Sequence, residues 1–389
     1  MRLQLVAARL RFSPRRAHWL LPAILAAALG SHAGVLPDDR ADMLWHRYEG
    51  GGITVQGPSV LVRKKFGDSL SVAGNYYVDM ISSASIDVVT QASPYKERRT
   101  QESLSAAYLH GKITYSGGYI SSVEPDYHSK TAFFNVAEDM FGDLTTVSFG
   151  ATRGWDKVGR HNDSTFSRDL DRRNWQIGLS QVLTRNWLAA LNFETSESEG
   201  FLNNPYRSVR YIDPGSARLY SYEPERYPGS RTGNAASADL KYYLPWRAAL
   251  DGDYRYYTDT WGILAHTLRL GYTQPIRSWT FDGHVRLYRQ THADFYSDLF
   301  PYVDAQNFLA RDRELAQFKS VTFGATASWE LHPPKPAWLT RMTLNLSFDR
   351  LHIMYDDFRD VRVHVAVPGT EPLYTLDANV MQFFISAWF

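Results

Sequence analysis

Met381-Gln382-Phe383-Phe384-Ile385-Ser386-Ala387-Trp388-Phe389, the last nine residues of the 389-residue chain, place apolar side chains at every second position: Met381, Phe383, Ile385, Ala387 and Phe389. Period two is the mark of a strand with one apolar face. An apolar strand that ends a chain leaves a row of backbone donors and acceptors open, which invites aggregation unless that edge is covered or closed. Closure into a barrel removes the edge, whereas a strand buried in an ordinary sheet is the alternative. The other end of the chain separates the two.

Arg2, Arg9, Arg11, Arg15 and Arg16 surround the approach to an apolar run from Trp19 to Leu29, and Ser31-His32-Ala33 supplies a small-residue cleavage site. This is the anatomy of a secretory signal peptide, so residues 1–33 are expected to be removed after Ala33. The apolar run is too short to remain as a spanning helix, which needs about 20 residues. Ala17-His18-Trp19 after Arg15-Arg16 fits twin-arginine export poorly, so the general route, which delivers an unfolded chain, is expected. Removing the leader takes five of the 42 basic residues and none of the 41 acidic ones, leaving 37 against 41, a formal charge of −4. A mildly acidic export product is not built for nucleic acid. The chain has no cysteine, which excludes disulfides, thiolate metal sites, a cysteine nucleophile and a lipoprotein anchor.

The remaining residues, 34–389, read as one domain with no apolar run long enough for a membrane helix and a negative mean hydropathy. Barrel strands give this average because lipid-facing and lumen-facing residues alternate, so the test is period rather than mean. From Val321 one face reads Val321, Phe323, Ala325, Ala327 and Trp329, and the other Thr322, Gly324, Thr326, Ser328 and Glu330. Similar alternation covers Leu104–Leu109, Ile113–Ile120, Leu144–Arg153, Trp175–Ser180, Trp187–Thr195, Ala236–Leu244, Ala248–Tyr257, Leu264–Thr273, Trp279–Arg289 and Met342–Phe348.

Short turns are expected at Gly67-Asp68, His110-Gly111, Phe141-Gly142-Asp143, Thr184-Arg185-Asn186, Pro245-Trp246-Arg247, Ile276-Arg277-Ser278 and Pro333–Ala337. Longer polar connections are expected at Ser82–Thr100, Val123–Ser129, Asp156–Asp171, Ser196–Asn234, Thr291–Gln317 and Tyr355–Leu373, with Asp259–Gly262 unusually tight for that side. The fold class is therefore all-β: a transmembrane, antiparallel, up-and-down β-barrel of the outer-membrane type. Counting back from Phe389 gives about 15 segments, and the even-number rule asks for one more near Met43–Glu49, turning at Gly50-Gly51-Gly52. The best count is about 16 strands, with about 14 as the alternative, since residues 34–52 are irregular and Pro58 is tolerated in a strand only at an edge or bulge. Trp187, Trp246, Trp279, Trp338 and Trp388 lie in or beside short turns or at the C terminus, the level of an interfacial aromatic girdle.

With the apolar alternates facing lipid, four successive segments direct Asp239 and Lys241, then Asp251, Asp253 and Arg255, then Arg269, then Asp282, His284 and Arg286 into the lumen. Hairpin register sets Lys241 opposite Asp251 and Asp253 opposite Arg269. Such a ladder either braces a crowded interior or forms a charged constriction that selects solutes. Two loops form a second candidate region. Ser82–Arg99 joins an apolar stretch, Ile86–Val89, to a basic end at Lys96, Arg98 and Arg99, and Asn307–Gln317 spaces Phe308, Leu309 and Leu315 as on a helix. Either is long enough to fold into the barrel mouth.

The terminal stretch resembles the assembly signal of bacterial outer-membrane barrels, in which alternating hydrophobics end in phenylalanine and are read by the insertion machinery. Met381, Phe383, Ile385 and Phe389 carry the match, and Ala387 departs from it where a larger residue is usual. The segments LPDDRADMLWHRYEGGG, GPSVLVRKKFGDSLSVAGNYYVDMISSASIDVVTQASPYKERRT, FFNVAEDMFGDLTTVSFGATRGWDKVGR and NFLARDRELAQF resemble the bacterial family known as domain of unknown function 3570, across essentially all of residues 34–389. The resemblance implies an outer-membrane barrel without assigned activity. Genes of that family tend to neighbour those of a thioredoxin-like protein, a short lipoprotein and a flavin-transferring enzyme, which implies a periplasmic redox context.

Motifs for chemistry are missing: there is no Gly-rich phosphate loop, no H-E-x-x-H and no G-x-S-x-G, and His161, His284 and His292 do not form a ligand set by spacing. No cofactor, metal or catalytic residue is assigned. The expected protein is a non-enzymatic channel for a small solute in the bacterial outer membrane, surrounded by lipid and inserted by the barrel machinery. A scaffold for a periplasmic lipoprotein or redox partner is second. An outer-membrane enzyme is third and would need Ser, His and a carboxylate to converge.

Overall fold

The computed structural model describes residues 34–83, 95–161, 163–333 and 338–389. The expected leader at residues 1–33, Ile86–Val89 and most of the expected Pro333–Ala337 turn lie outside the described residues. The strands are β1 (Arg40–Gly50), β2 (Ile53–Phe66), β3 (Leu70–Ser83), β4 (Tyr95–His110), β5 (Ile113–Glu124), β6 (Tyr127–Met140), β7 (Thr145–Arg160), β8 (Asp163–Val182), β9 (Trp187–Gly200), β10 (Ser208–Ile212), β11 (Tyr220–Pro224), β12 (Ser230–Tyr243), β13 (Ala249–Asp259), β14 (Leu264–Ile276), β15 (Trp279–Gln290), β16 (Phe318–Leu331), β17 (Arg341–Arg359) and β18 (Leu373–Trp388). Sixteen of them close an antiparallel barrel in chain order, while β10 and β11 form a separate hairpin inside the long β9–β12 connection.

Closure falls where the C-terminal stretch meets the expected extra strand. β1 pairs with β18 from Arg40↔Trp388 to Gly50↔Ala378, so β1 starts and β18 ends at the short-turn rim. Gly51 and Gly52 make the turn into β2 with φ of +58° and +76°, the left-handed pair that a tight hairpin requires. Pro58 sits at a break in pairing: β2 and β3 are in register at Gln56↔Met80 and resume at Ser59↔Tyr77. A side chain at Gly57 would press its Cβ to within 1.9 Å of the Val78 carbonyl oxygen, so only glycine fits there.

The wall is inverted relative to a soluble protein. Leu104, Ile177, Leu191, Leu270 and Phe323, from five different strands, each expose more than half of their surface and point outward. Their polar neighbours in sequence face inward, as the period-two reading predicted. Trp187, Trp246, Trp279 and Trp338 are exposed near the short-turn rim, with Trp279 stacked on Trp329 at 5.6 Å. Trp388 departs from that girdle. Its place in the register puts it on the inner side of the rim, where the Arg341 guanidinium lies 3.8 Å from its ring centroid and that of Arg40 5.6 Å.

Several expected loops are strand. β5 and β6 turn at residues 125–126, and β7 and β8 run on to Arg160 and from Asp163, so Val123–Ser129 and most of Asp156–Asp171 belong to the wall. Above the lipid band both faces of a strand meet water, so the alternation that marks it disappears. Lys96, Arg98 and Arg99 likewise lie in β4. The larger of two buried apolar clusters among the described residues sits at the long-loop mouth, where Phe295, Leu315 and Ala316 of the 291–317 connection pack against Tyr48, Ile353, Tyr355 and Leu376 of the wall. Asn307–Gln317 does enter the mouth, but as bends and turns rather than as a helix. Leu309 exchanges backbone hydrogen bonds with Arg226 of the neighbouring loop at 2.8 and 2.9 Å, which takes the place of helical bonding.

Candidate functional site

The lumen-facing ladder has the register expected of it: Lys241↔Asp251, Asp253↔Arg269 and, one strand further, Arg269↔Arg286. Its bonds run differently. Arg269 pairs with Asp251, diagonal to it, rather than with the directly opposed Asp253. Arg255 donates to Glu194 on β9 at 3.0 Å. Asp239 accepts from Asn192 at 3.2 Å and Asp282 from the Thr273 hydroxyl at 2.8 Å. His284 lies between two carboxylates, 3.7 Å from Asp282 and 3.2 Å from Asp349 on β17. Lys241 and Arg286 have no ion-pair partner among the described residues; the Arg286 guanidinium rests 5.5 Å from the Tyr288 ring centroid.

Glu194, Asn192 and Asp349 complete this surface and were missed from sequence. The alternation that exposed Leu191, Phe193, Leu346 and Phe348 already assigned them to the inner face, one strand beyond the sought ladder on the β12 side and two beyond it on the β15 side. Glycines flatten it. A Cβ at Gly271 would meet the Asp251 carboxylate at 2.5 Å, and one at Gly324 would meet Asp349 at 2.0 Å and His284 at 2.1 Å. The charged side chains therefore lie along the wall, over neighbouring strands, instead of reaching across the lumen.

The opposite inner wall holds a buried polar cluster that sequence spacing did not reveal. Asp79 is 0% and Arg99 1% exposed. Arg99 donates to Gln101 at 2.7 Å and to Ser122 at 3.0 Å, and lies 3.5 Å from Asp79 and 4.0 Å from Glu124. His46 on β1 reaches over Gly57 to Asp79 on β3 at 2.8 Å and stacks on Tyr77, which ties β1 to β3 across the break at Pro58.

Over the mouth, three connections are locked together by Arg210 on β10, which is fully buried. Its guanidinium holds both carboxylate oxygens of Glu371, at 2.5 and 3.0 Å, and also pairs with Asp298 of the 291–317 connection. Arg311 bonds the same Asp298 at 2.9 Å and donates to the Arg359 carbonyl at 3.0 Å. Burial pushes the Glu371 carboxyl up, but the Arg210 guanidinium and backbone N–H donors outweigh it and hold that carboxyl below the ordinary carboxylate value. Arg210 is correspondingly held above its ordinary value, because its two acidic partners outweigh desolvation.

Among the described residues no group of three or more His, Asp or Glu side chains is arranged to hold a metal ion. His161 is exposed, and His292 pairs with Asp357 at 2.9 Å.

A closed sixteen-stranded wall, apolar outside and charged inside, with short turns on one rim and packed loops on the other, defines an outer-membrane β-barrel. The family model described as "Protein of unknown function (DUF3570)" matches residues 153–345, and it is the family that the sequence resembles. The match contains the NFLARDRELAQF segment and begins within FFNVAEDMFGDLTTVSFGATRGWDKVGR; the two earlier segments precede it. No curated protein matches. Among solved structures, a "Bacterial polysaccharide outer membrane secretin" aligns with 7% identity and a TM-score of 0.46, covering 91% of this chain and 100% of its own. Pseudomonas aeruginosa OpdK, crystallised with vanillate, aligns with 9% identity and a TM-score of 0.43 over 91% of this chain and 100% of its own. The CymD monoaromatic hydrocarbon channel aligns with 9% identity and a TM-score of 0.42 over 92% and 90%.

Proposed function

We propose that this protein is a channel for a small polar solute, and that the path runs along the β12–β17 half of the lumen beneath the loops joined by Arg210. The observation that carries this reading is the state of the ladder: Arg255, Arg269, Asp251 and Asp282 remain partly exposed, and Asp251 lies against the wall over Gly271 as His284 and Asp349 do over Gly324. A charged surface kept wet and flat is what a selective passage needs, because lumen charges tune which solute passes while the lipid-facing wall is untouched. Acidic and basic groups alternate around it, which suits a solute carrying both polar and charged groups.

Planar-bilayer conductance tests the reading. The parent protein is expected to conduct, and the Arg269→Gln/Arg286→Gln double variant to shift ion preference towards cations. Only variants that keep heat-modifiable migration in detergent count as folded. A parent that never conducts rejects the channel and leaves the scaffold for a periplasmic lipoprotein or redox protein. Crosslinking from Arg185 and Arg247, on the short-turn rim, then identifies the partner.

A further inference from the structure

Residues 34–39 precede the first strand, yet they do not trail away from the rim. Leu36 is 5% exposed, and the Gly34 N–H donates at 2.8 Å to Oδ2 of Asp139, near the end of β6. Asp139 is itself 3% exposed, and its other oxygen accepts from the Thr146 hydroxyl at 2.5 Å. The opposite end of the segment is pinned where it enters β1. Asp39 accepts from the Lys65 backbone N–H at 2.6 Å and pairs with Lys64 at 2.5 Å, and Asp38 pairs with Lys65 at 3.2 Å.

In the wall β6 stands five strand intervals from β1, about 24 Å along the sheet at ~4.8 Å each. Six residue steps, from 34 to 40, reach at most about 20–22 Å when fully extended. The Asp139 side chain and its hydrogen bond supply the remaining reach, so residues 34–39 bridge the ends of β1 and β6 at the short-turn rim with little slack, turning at Gly34 and Val35. Gly34 also suits the contact, since a Cβ there would stand 3.3 Å from the Asp139 carboxylate.

We propose that processing after Ala33 turns Gly34 into an α-ammonium that docks in a built site on Asp139, locking residues 34–39 as a strap between β1 and β6 at the periplasmic mouth. The inference rests on the reading of residues 1–33 as a cleaved leader. A signal peptidase hydrolyses the Ala33–Gly34 bond with one water, leaving the Ala33 carboxylate on the released leader and the Gly34 amine, with the proton, on the barrel. An α-amine is mostly protonated at pH 7, so the single amide donor becomes a cation with three N–H groups against a buried carboxylate. The site takes a primary ammonium at the end of a chain, and this chain itself supplies it.

The test uses the full-length protein purified from outer membranes. Its intact mass is measured first, and a mature chain beginning at Gly34 is expected. The folded barrel is then pulsed at pH 7 with an N-hydroxysuccinimide acetate, and acetylation of the N-terminal amine is followed by mass spectrometry. Labelling is expected to be at least tenfold slower in the parent than in Asp139→Asn. Leu36→Ser, which unseats the strap without touching the barrel wall, should label as fast as Asp139→Asn and stands in if that variant fails to assemble. A chain that begins elsewhere overturns the processing step. A chain that begins at Gly34 but labels as fast as Leu36→Ser overturns the docking alone. Neither result depends on whether the barrel conducts.

Discussion

The two halves of the inner wall are built from the same residue types and behave as opposites. On β3–β5 the Arg99–Asp79–Glu124 cluster is sealed from water, with each member at or below 2% exposure. On β9–β15 the Arg255–Glu194 pair keeps 17% and 26% of its side-chain surface. Inward parity alone thus does not make a passage; what decides is whether neighbouring side chains and mouth loops close over the charges. A sealed charge must be fully paired, since removing one partner of a buried pair costs about 3–5 kcal/mol. A wet pair exchanges its partner for water at about 1 kcal/mol or less.

Making the same replacement in both halves sets that difference at its largest. Arg99→Met removes the buried guanidinium that Asp79 and Glu124 share and is expected to cost about 3–5 kcal/mol, read as a large fall in the temperature at which the detergent-folded band converts to the unfolded one. Arg255→Met is expected to shift that temperature little. Equal losses would mean that the ladder half is as dry as the other and would end the comparison.

The mouth gives an intermediate effect. Arg210→Met leaves Glu371 and Asp298 without their shared cation, so limited proteolysis should cut within residues 291–317 and 360–372 while the wall remains heat-modifiable. Acid should do the same to the parent. Because the folded Glu371 carboxyl is held below the ordinary glutamate value of 4.5, its stabilisation is fully present above that pH and is lost as pH falls through the lower folded value. Cleavage in the two loops should therefore rise below about pH 4.5, and Glu371→Gln should remove that dependence. Loops that stay resistant in Arg210→Met would show that apolar packing around Phe295 and Leu315 holds them without the ion pairs.

Gly324→Ala has the smallest expected effect. The new methyl must displace the flexible ends of His284 and Asp349 into the lumen, so stability should change by less than about 1 kcal/mol while single-channel conductance falls. An unchanged conductance would remove β15–β17 from the path.

Strand positions were legible wherever lipid lies on one side and the lumen on the other, as in Val321 to Trp329, and the even count correctly demanded β1. They were illegible above the lipid, where β7 and β8 continue through Asp156–Asp171 with polar residues on both faces. Register was readable from the short turns, which fixed Lys241 opposite Asp251. The bond from Arg269 to Asp251 was not, because a long guanidinium chooses among carboxylates by reach and by the gap over Gly271. The Arg210 lock and the His46–Asp79 tie join residues far apart in the chain, and no local pattern announces them.

The seam between β1 and β18 also sets the order in which this wall is made. Nearly every other strand meets a neighbour that is close in sequence, so hairpins can zip as the chain arrives, each at a small loop-closure cost. The last rungs join residue 40 to residue 388, across almost the whole chain. Contacts of such separation are slow to form, so closure of this seam is expected to be a late step in forming the barrel. Joining residue 389 to residue 40 by a short turn and opening the chain at Gly67-Asp68 would leave every rung in place and move that slow step to the β2–β3 seam.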